Sequence, residues 1–169
     1  MRDVADFPSP GVLFKDVSPL LADPDGLRTV VAALAEPGRS DDGTTAVDRV
    51  VGLEARGFIF GAPVALELGA GFVPVRKAGK LPGETHRVSY ALEYGEAVLE
   101  VHRDALQPGD RVLVVDDVLA TGGTAAAART LVEACGATVV GVSVLLEIAA
   151  LRGRAALGAT PVHALQVVG

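Results

Sequence analysis

The sequence predicts an α/β fold: a central, mostly parallel sheet flanked by helices. Three observations carry this. Short β-branched apolar runs alternate along the chain with segments of helical periodicity. The run Val112 to Val115 is apolar at every position, as in a strand covered on both faces of a parallel sheet. Gly and Pro punctuate the junctions, at Pro37-Gly38, Gly69, Pro108-Gly109 and Gly136. Strands that alternate with helices imply right-handed crossovers and a layered fold. With 169 residues and about 150 residues per domain, one domain is expected.

The elements follow in order. Asp23-Pro24-Asp25 is a capping signal, and Leu27, Val30, Val31 and Leu34 fall at i, i+3, i+4 and i+7, so a helix runs to about Pro37-Gly38. Arg39 to Thr45 is a polar surface loop, Val47 to Leu53 a strand, Phe58 to Leu68 a helix closed by Gly69, and Phe72 to Val75 a strand. Gly79 to Ser89 reads as neither helix nor strand and is expected to be a long loop of the kind that forms lids and binding elements. Glu96 to His102 alternates, with Ala97, Leu99 and Val101 on one face, as in a half-exposed strand. After the turn at Pro108-Gly109-Asp110 comes the strand Val112 to Val115, bounded by Asp116-Asp117, then a loop and an Ala-rich helix from about Thr124 to Cys135 with Gly136 as its cap. A strand Val139 to Leu146, a short helix around Ala149 to Leu157 and an apolar tail Val162 to Val168 complete the chain.

Composition narrows the function. With 50% hydrophobic but only 4% aromatic residues and no Trp, the core is built from Val, Leu and Ala. The net charge of -6 argues against a broad grip on nucleic acid, so any polyanion bound is small and locally held. The lone Cys135 forms no internal disulfide. The start, Met1-Arg2-Asp3, shows no apolar leader, and the longest apolar stretch, Cys135 to Leu146, is shorter than the about 18 residues that span a bilayer. A cytoplasmic protein that engages no membrane is expected.

The strongest chemical signal is Val112-Leu113-Val114-Val115-Asp116-Asp117-Val118-Leu119-Ala120-Thr121-Gly122-Gly123-Thr124, running directly into the Ala-rich helix. A buried strand here delivers two adjacent carboxylates to the sheet edge where open α/β folds place ligands. The Thr-Gly-Gly-Thr turn leaves amides uncovered at a helix N-terminus, and small residues let a phosphate approach them closely. Asp116 and Asp117 would repel a second phosphate but accept hydrogen bonds from a sugar diol, so a ribose 5-phosphate is the natural occupant. Neither G-x-x-x-x-G-K-[ST] nor G-x-G-x-x-G is present.

This run resembles the binding motif for 5-phosphoribosyl 1-diphosphate in the type I phosphoribosyltransferases, and its Leu119 to Thr124 wording resembles the adenine-using branch. Asp6 to Asp16, Gly52 to Phe58, Arg76 to Pro82 and Leu92-Glu93-Tyr94-Gly95 point the same way and in the family's order, so the likeness covers nearly the whole chain. It implies a Rossmann-like type I phosphoribosyltransferase fold with a small hood, formed by a single domain 1–169. An N-terminal arm 1–16 contributes to base binding, and 79–95 is a flexible loop. It further implies a transferase that joins ribose 5-phosphate to adenine, with magnesium carried by the substrate rather than held by the protein, and a homodimer.

By the same resemblance Ala120, Thr121, Gly122, Gly123 and Thr124 hold the 5-phosphate and Asp116 and Asp117 the ribose. Glu54, Ala55 and Arg56 form the diphosphate loop, which often carries a cis peptide at Glu54-Ala55. Many relatives have Ser in place of Ala55. A guanidinium beside free amides at a helix start suits a diphosphate. Lysine occurs only at 15, 77 and 80, so Arg76, Lys77 and Lys80 are a local cationic cluster in an acidic chain. They are expected to approach the diphosphate, some of them across a dimer interface.

The resemblance makes Glu93 and Arg56 the expected catalytic groups, Glu93 handling the purine ring proton with Tyr94 beside it in the loop and Arg56 at the leaving diphosphate. Leu13, Phe14 and Lys15 are expected at the base, where the stiff Pro8 to Gly11 segment presents backbone to a planar edge. His86, His102 and His163 lack ligand spacing. Two other readings stay open: transfer to guanine, xanthine or orotate, and a non-catalytic regulator that senses the phosphoribosyl donor.

Overall fold

The computed structural model describes residues 1–7, 9–11, 13–91 and 95–169. Strands β1 (Arg2–Ala5) and β2 (Leu13–Asp16) precede the short helix α1 (Ser18–Leu21) and α2 (Pro24–Ala35). Then come β3 (Arg49–Leu53), α3 (Gly57–Leu68), β4 (Gly71–Lys77), β5 (Thr85–Ala91), β6 (Glu96–His102), β7 (Arg111–Leu119), α4 (Gly123–Ala134), β8 (Thr138–Ile148) and β9 (Val162–Val168). A seven-stranded sheet has the order β5-β6-β4-β3-β7-β8-β9, and β1 and β2 pair as a separate ribbon. β4, β3, β7, β8 and β9 are mutually parallel, while β6 is antiparallel to both β4 and β5.

Alternation along the central strands splits the core in two. Val51, Val112 and Val114 pack with Ala128 and Leu131 of α4 on one face. Val50, Leu113 and Val115 pack with Leu34 of α2 and Phe60 and Val64 of α3 on the other. Both faces of β7 are therefore covered, which is why its stretch Val112 to Val115 is apolar at every position. Among the described residues no helix is long and apolar enough to cross a membrane.

Four expectations need correction. The expected long loop over 79–89 contains β5, which pairs antiparallel with β6 from Thr85 opposite His102 to Ala91 opposite Glu96. Its half-buried positions alternate, His86, Val88 and Tyr90 against the exposed Arg87, Ser89 and Ala91, a weak period-2 signal that polar residues mask. β7 does not stop at Val115: it continues through Asp116 and Asp117 to Leu119 because β8 keeps pairing with it to Glu147. The segment 149–157 is two 3-10 turns around Arg152, which sits at φ 51°. The strand expected to be half-exposed over Glu96 to His102 has Glu100 fully buried on the face opposite Leu99 and Val101.

Candidate active site

The C-terminal ends of β3 and β7 open into a cavity of about 1000 Å³, a size typical of small-molecule sites. Its lining includes Glu54, Ala55, Arg56, Lys77, Asp116, Asp117, Ala120 and Thr124. Leu13, Phe14 and Lys15 of β2 close one side, Tyr90 of β5 overhangs it, and Leu146, Ile148 and Val168 form an apolar wall. Residues of the arm, of Glu54-Ala55-Arg56, of Asp116-Asp117 and of the turn after them thus meet in one place, whereas Arg76, Lys80 and Thr121 to Gly123 do not line this cavity.

The turn between β7 and α4 sits over a smaller recess of about 60 Å³, lined by Ala120, Thr121, Gly122 and Thr124 among others. Gly122 is the N-cap of α4, at φ 82°, and supplies no side-chain cap. A Cβ there would lie 2.2 Å from the Gly153 carbonyl oxygen, so both conformation and space demand glycine. Among the described residues the amides of Thr121 and Gly122 make no hydrogen bond. Uncapped amides joined to a helix dipole form an anion site. Gly123 opens the helix beneath the Tyr90 ring, and Thr124 Oγ1 donates to the Tyr90 hydroxyl at 3.3 Å.

The two aspartates differ. Asp116 Oδ1 accepts from the Asp117 amide at 2.9 Å. Burial, and after it the Asp117 charge, pushes the Asp116 carboxyl well above the ordinary carboxylate range. Asp117 Oδ2 lies 2.9 Å from Arg56 Nε, an ion-pair distance without hydrogen-bond alignment, so this buried oxygen lacks a hydrogen-bond partner among the described residues. A buried acceptor left open toward a cavity suits a hydroxyl-bearing ligand.

At the end of β3 the Glu54-Ala55 peptide is cis, as the resemblance implies. Arg56 is the N-cap of α3, and its guanidinium carbon stands 5.9 Å from the Phe14 ring centroid. Gly57 follows, where a Cβ would come within 2.9 Å of Asp116 Oδ1 and of the Val115 carbonyl. Helix α3 can start this close to the carboxylates only because that position is glycine.

The cationic cluster is placed differently from a simple ring around the cavity. Lys80 Nζ donates to Glu54 Oε1 at 2.6 Å, and the Lys77 amide and Arg76 Nε donate to Oε2 at 2.9 and 3.3 Å. Burial opposes ionisation of Glu54, but Lys80, the Lys77 amide and Arg76 hold its carboxyl below the ordinary value. Only Lys77 of the three lines the cavity. A second carboxylate, absent from the sequence reading, anchors the same turn: Glu100 Oε1 accepts from the Lys80 and Leu81 amides at 2.8 and 2.9 Å, and Oε2 from Arg87 Nε at 3.1 Å. Two buried carboxylates thus fix the backbone of 77–81. Nothing in the alternating pattern of β6 marks Glu100, whereas Tyr90 could have been found from the period of β5.

The N-terminal arm is an antiparallel ribbon, with Val4 opposite Phe14. Phe7 packs edge-on against Phe14 at 5.1 Å, and Lys15 Nζ pairs with Asp3 at 2.7 Å. Glu93 and Tyr94 lie outside the described residues.

The phosphoribosyl transferase domain family matches residues 20–160. An adenine phosphoribosyltransferase of Nocardioides sp. is 66% identical over 99% of this chain and 91% of its own, and one of Thermobifida fusca is 59% identical over 99% and 93%. Among solved structures, the adenine phosphoribosyltransferase of Rhodothermus marinus superposes with a TM-score of 0.89 at 51% identity, covering 99% of this chain and 93% of that one. That of Saccharomyces cerevisiae, complexed with an imino-altritol bisphosphate and adenine, gives 0.91 at 42% identity over 97% and 93%. With these matches, and with the turn 120–124 beside the paired aspartates and the loop at Glu54-Ala55, the chain belongs to the phosphoribosyltransferase family, among its adenine phosphoribosyltransferases.

Proposed function

We propose that the chain transfers the 5-phosphoribosyl group from 5-phosphoribosyl 1-diphosphate to adenine, giving AMP and diphosphate in purine salvage. The observation that carries this reading is the uncapped turn 120–124 beside the Asp116–Asp117 pair. The amides of Thr121 to Thr124 take the 5-phosphate, and the aspartates accept hydrogen bonds from the ribose hydroxyls. The bond from the anomeric carbon to the diphosphate oxygen breaks as the bond to purine N9 forms, and the N9 proton leaves to Glu93. Arg56, Lys77, Lys80 and Arg76 stabilise the departing diphosphate, the last two after release from Glu54. Catalysis is by positioning and electrostatics.

The base lies against Leu13 and Phe14, near Lys15, on the arm that Arg56 touches. Magnesium, carried by the diphosphate oxygens rather than by side chains, would neutralise part of the diphosphate charge. Among the described residues no group of three or more His, Cys, Asp or Glu side chains could hold an ion. The chain works as a homodimer in the cytoplasm. Support for self-association is the apolar surface of α3, where Leu66 is 83% exposed and Ile59 44%.

Incubation with magnesium, the donor and one base at a time tests the reading. Nucleotide from adenine alone is expected; a product from guanine, xanthine or orotate, or none at all, overturns it.

A further inference from the structure

We infer that Glu147 and Arg154 are positioning residues for the phosphoryl-binding turn and act on it through Gly153. Neither residue lines the cavity or the recess.

The contact between the turn and the segment after β8 is an interlock of glycines. A Cβ on Gly122 would meet the Gly153 carbonyl oxygen at 2.2 Å, and a Cβ on Gly153 would meet the Ala120 carbonyl oxygen at 2.3 Å. The backbone at 153 is therefore the wall against which the turn 120–122 is pressed. A wall of that kind fixes where the amides point, provided that it does not shift.

What holds it is the neighbouring ion pair. Glu147, on β8, has a side chain only 8% exposed. Arg154 donates through Nε at 2.8 Å and Nη2 at 2.6 Å to its two oxygens, and through Nη1 to the Val162 carbonyl on β9 at 2.9 Å. A planar fork on a carboxylate restrains orientation as well as distance. The far end of the segment is tied to α4, where Arg129 Nη1 donates to the Leu157 carbonyl at 2.6 Å. Gly153 is thus braced from the sheet on one side and from the helix behind the turn on the other.

The inference rests on residues 120–124 being the phosphoryl cup. Arg154→Met, Glu147→Gln and Gly153→Ala are compared with the unchanged protein by calorimetric titration with AMP and, separately, with magnesium diphosphate, alongside steady-state kinetics. AMP affinity is expected to fall about tenfold in each variant with diphosphate affinity kept, as displacement of a remote support misplaces binding groups. The loss in kinetics falls on the donor KM more than on kcat. Variants that melt earlier yet bind AMP as tightly as the unchanged protein overturn the inference, and so does equal weakening of both ligands. If Arg154→Met does not fold, the isosteric Glu147→Gln decides by the same comparison. Failure of the unchanged protein to bind AMP sinks the parent reading instead.

Discussion

Arg56 Nε stands 2.9 Å from Asp117 Oδ2, joining the start of α3 to the end of β7 across the mouth of the cavity. The same guanidinium lies over Phe14 of the arm. One side chain of the loop at Glu54-Ala55 therefore touches two others, Asp117 and Phe14, which are proposed for the ribose and the base.

Arg56→Lys keeps the charge but loses the planar fork and the stacking face. The kcat/KM for the donor is expected to fall about 100-fold, the usual scale for removing one preorganised donor from a developing anion. The adenine KM rises less. Initial rates with each substrate varied in turn check this, and an unchanged donor kcat/KM would remove Arg56 from the reaction.

Asp116 gives a pH-dependent prediction. Its folded-state carboxyl is held well above the ordinary aspartate value of 3.8, first by burial and then by Asp117. Below about pH 3.8 it is protonated in both states and contributes nothing. As pH rises from there through the raised folded value, the folded protein binds more protons than the unfolded chain, so this group subtracts stability progressively. Asp116→Asn should therefore melt higher than the unchanged protein at neutral pH, by about 2–4 °C, and the gap should close on acidification. AMP binding should weaken in the same variant. A melting gap that is flat with pH refutes the account.

The uncapped turn at 120–124 was legible because glycine at a helix start has a local mechanism, and α2 because the periodic Leu27, Val30, Val31 and Leu34 report a buried face directly. The same periodicity failed at Glu100, since alternation assigns a residue to a side of the sheet but does not reveal that a turn folds over that side. β5 was hidden because an edge strand with one half-wet face carries few apolar residues. The attachment of Lys80 and Arg76 to Glu54 joins positions more than twenty residues apart, and pairing of that range is decided by topology rather than local pattern.

Gly57→Ala tests how tightly α3 is set against the carboxylates. Alanine is the better helix former by up to about 1 kcal/mol, and at an exposed helix position the change would stabilise. Here its Cβ would stand 2.9 Å from both Asp116 Oδ1 and the Val115 backbone oxygen. The clash wins: stability falls by about 1–3 kcal/mol, as for overpacking elsewhere, and the donor KM rises about tenfold as Asp116 is displaced. Chemical denaturation and donor titration read the two effects separately. A stabilised variant of normal KM would show that the approach is looser than described.

Glu54 decides whether the cations beside it are committed to structure or held ready for substrate. Its carboxylate binds Lys80 Nζ at 2.6 Å and Arg76 Nε at 3.3 Å, while the same turn is tethered independently by Glu100. Glu54→Gln therefore removes one negative charge next to the diphosphate loop without freeing the turn. Loss of one charged partner costs about 1–2 kcal/mol of stability. Added positive potential acts the other way on ligand: one charge at this range contributes about 1 kcal/mol, so inorganic diphosphate should inhibit at a concentration about fivefold lower. Because the interaction is partly exposed to solvent, raising the ionic strength toward 1 M, where the screening length is about 3 Å, should erase the difference. A variant that diphosphate inhibits less well at every salt concentration would mean that Glu54 orders Lys80 and Arg76 for binding rather than restraining them.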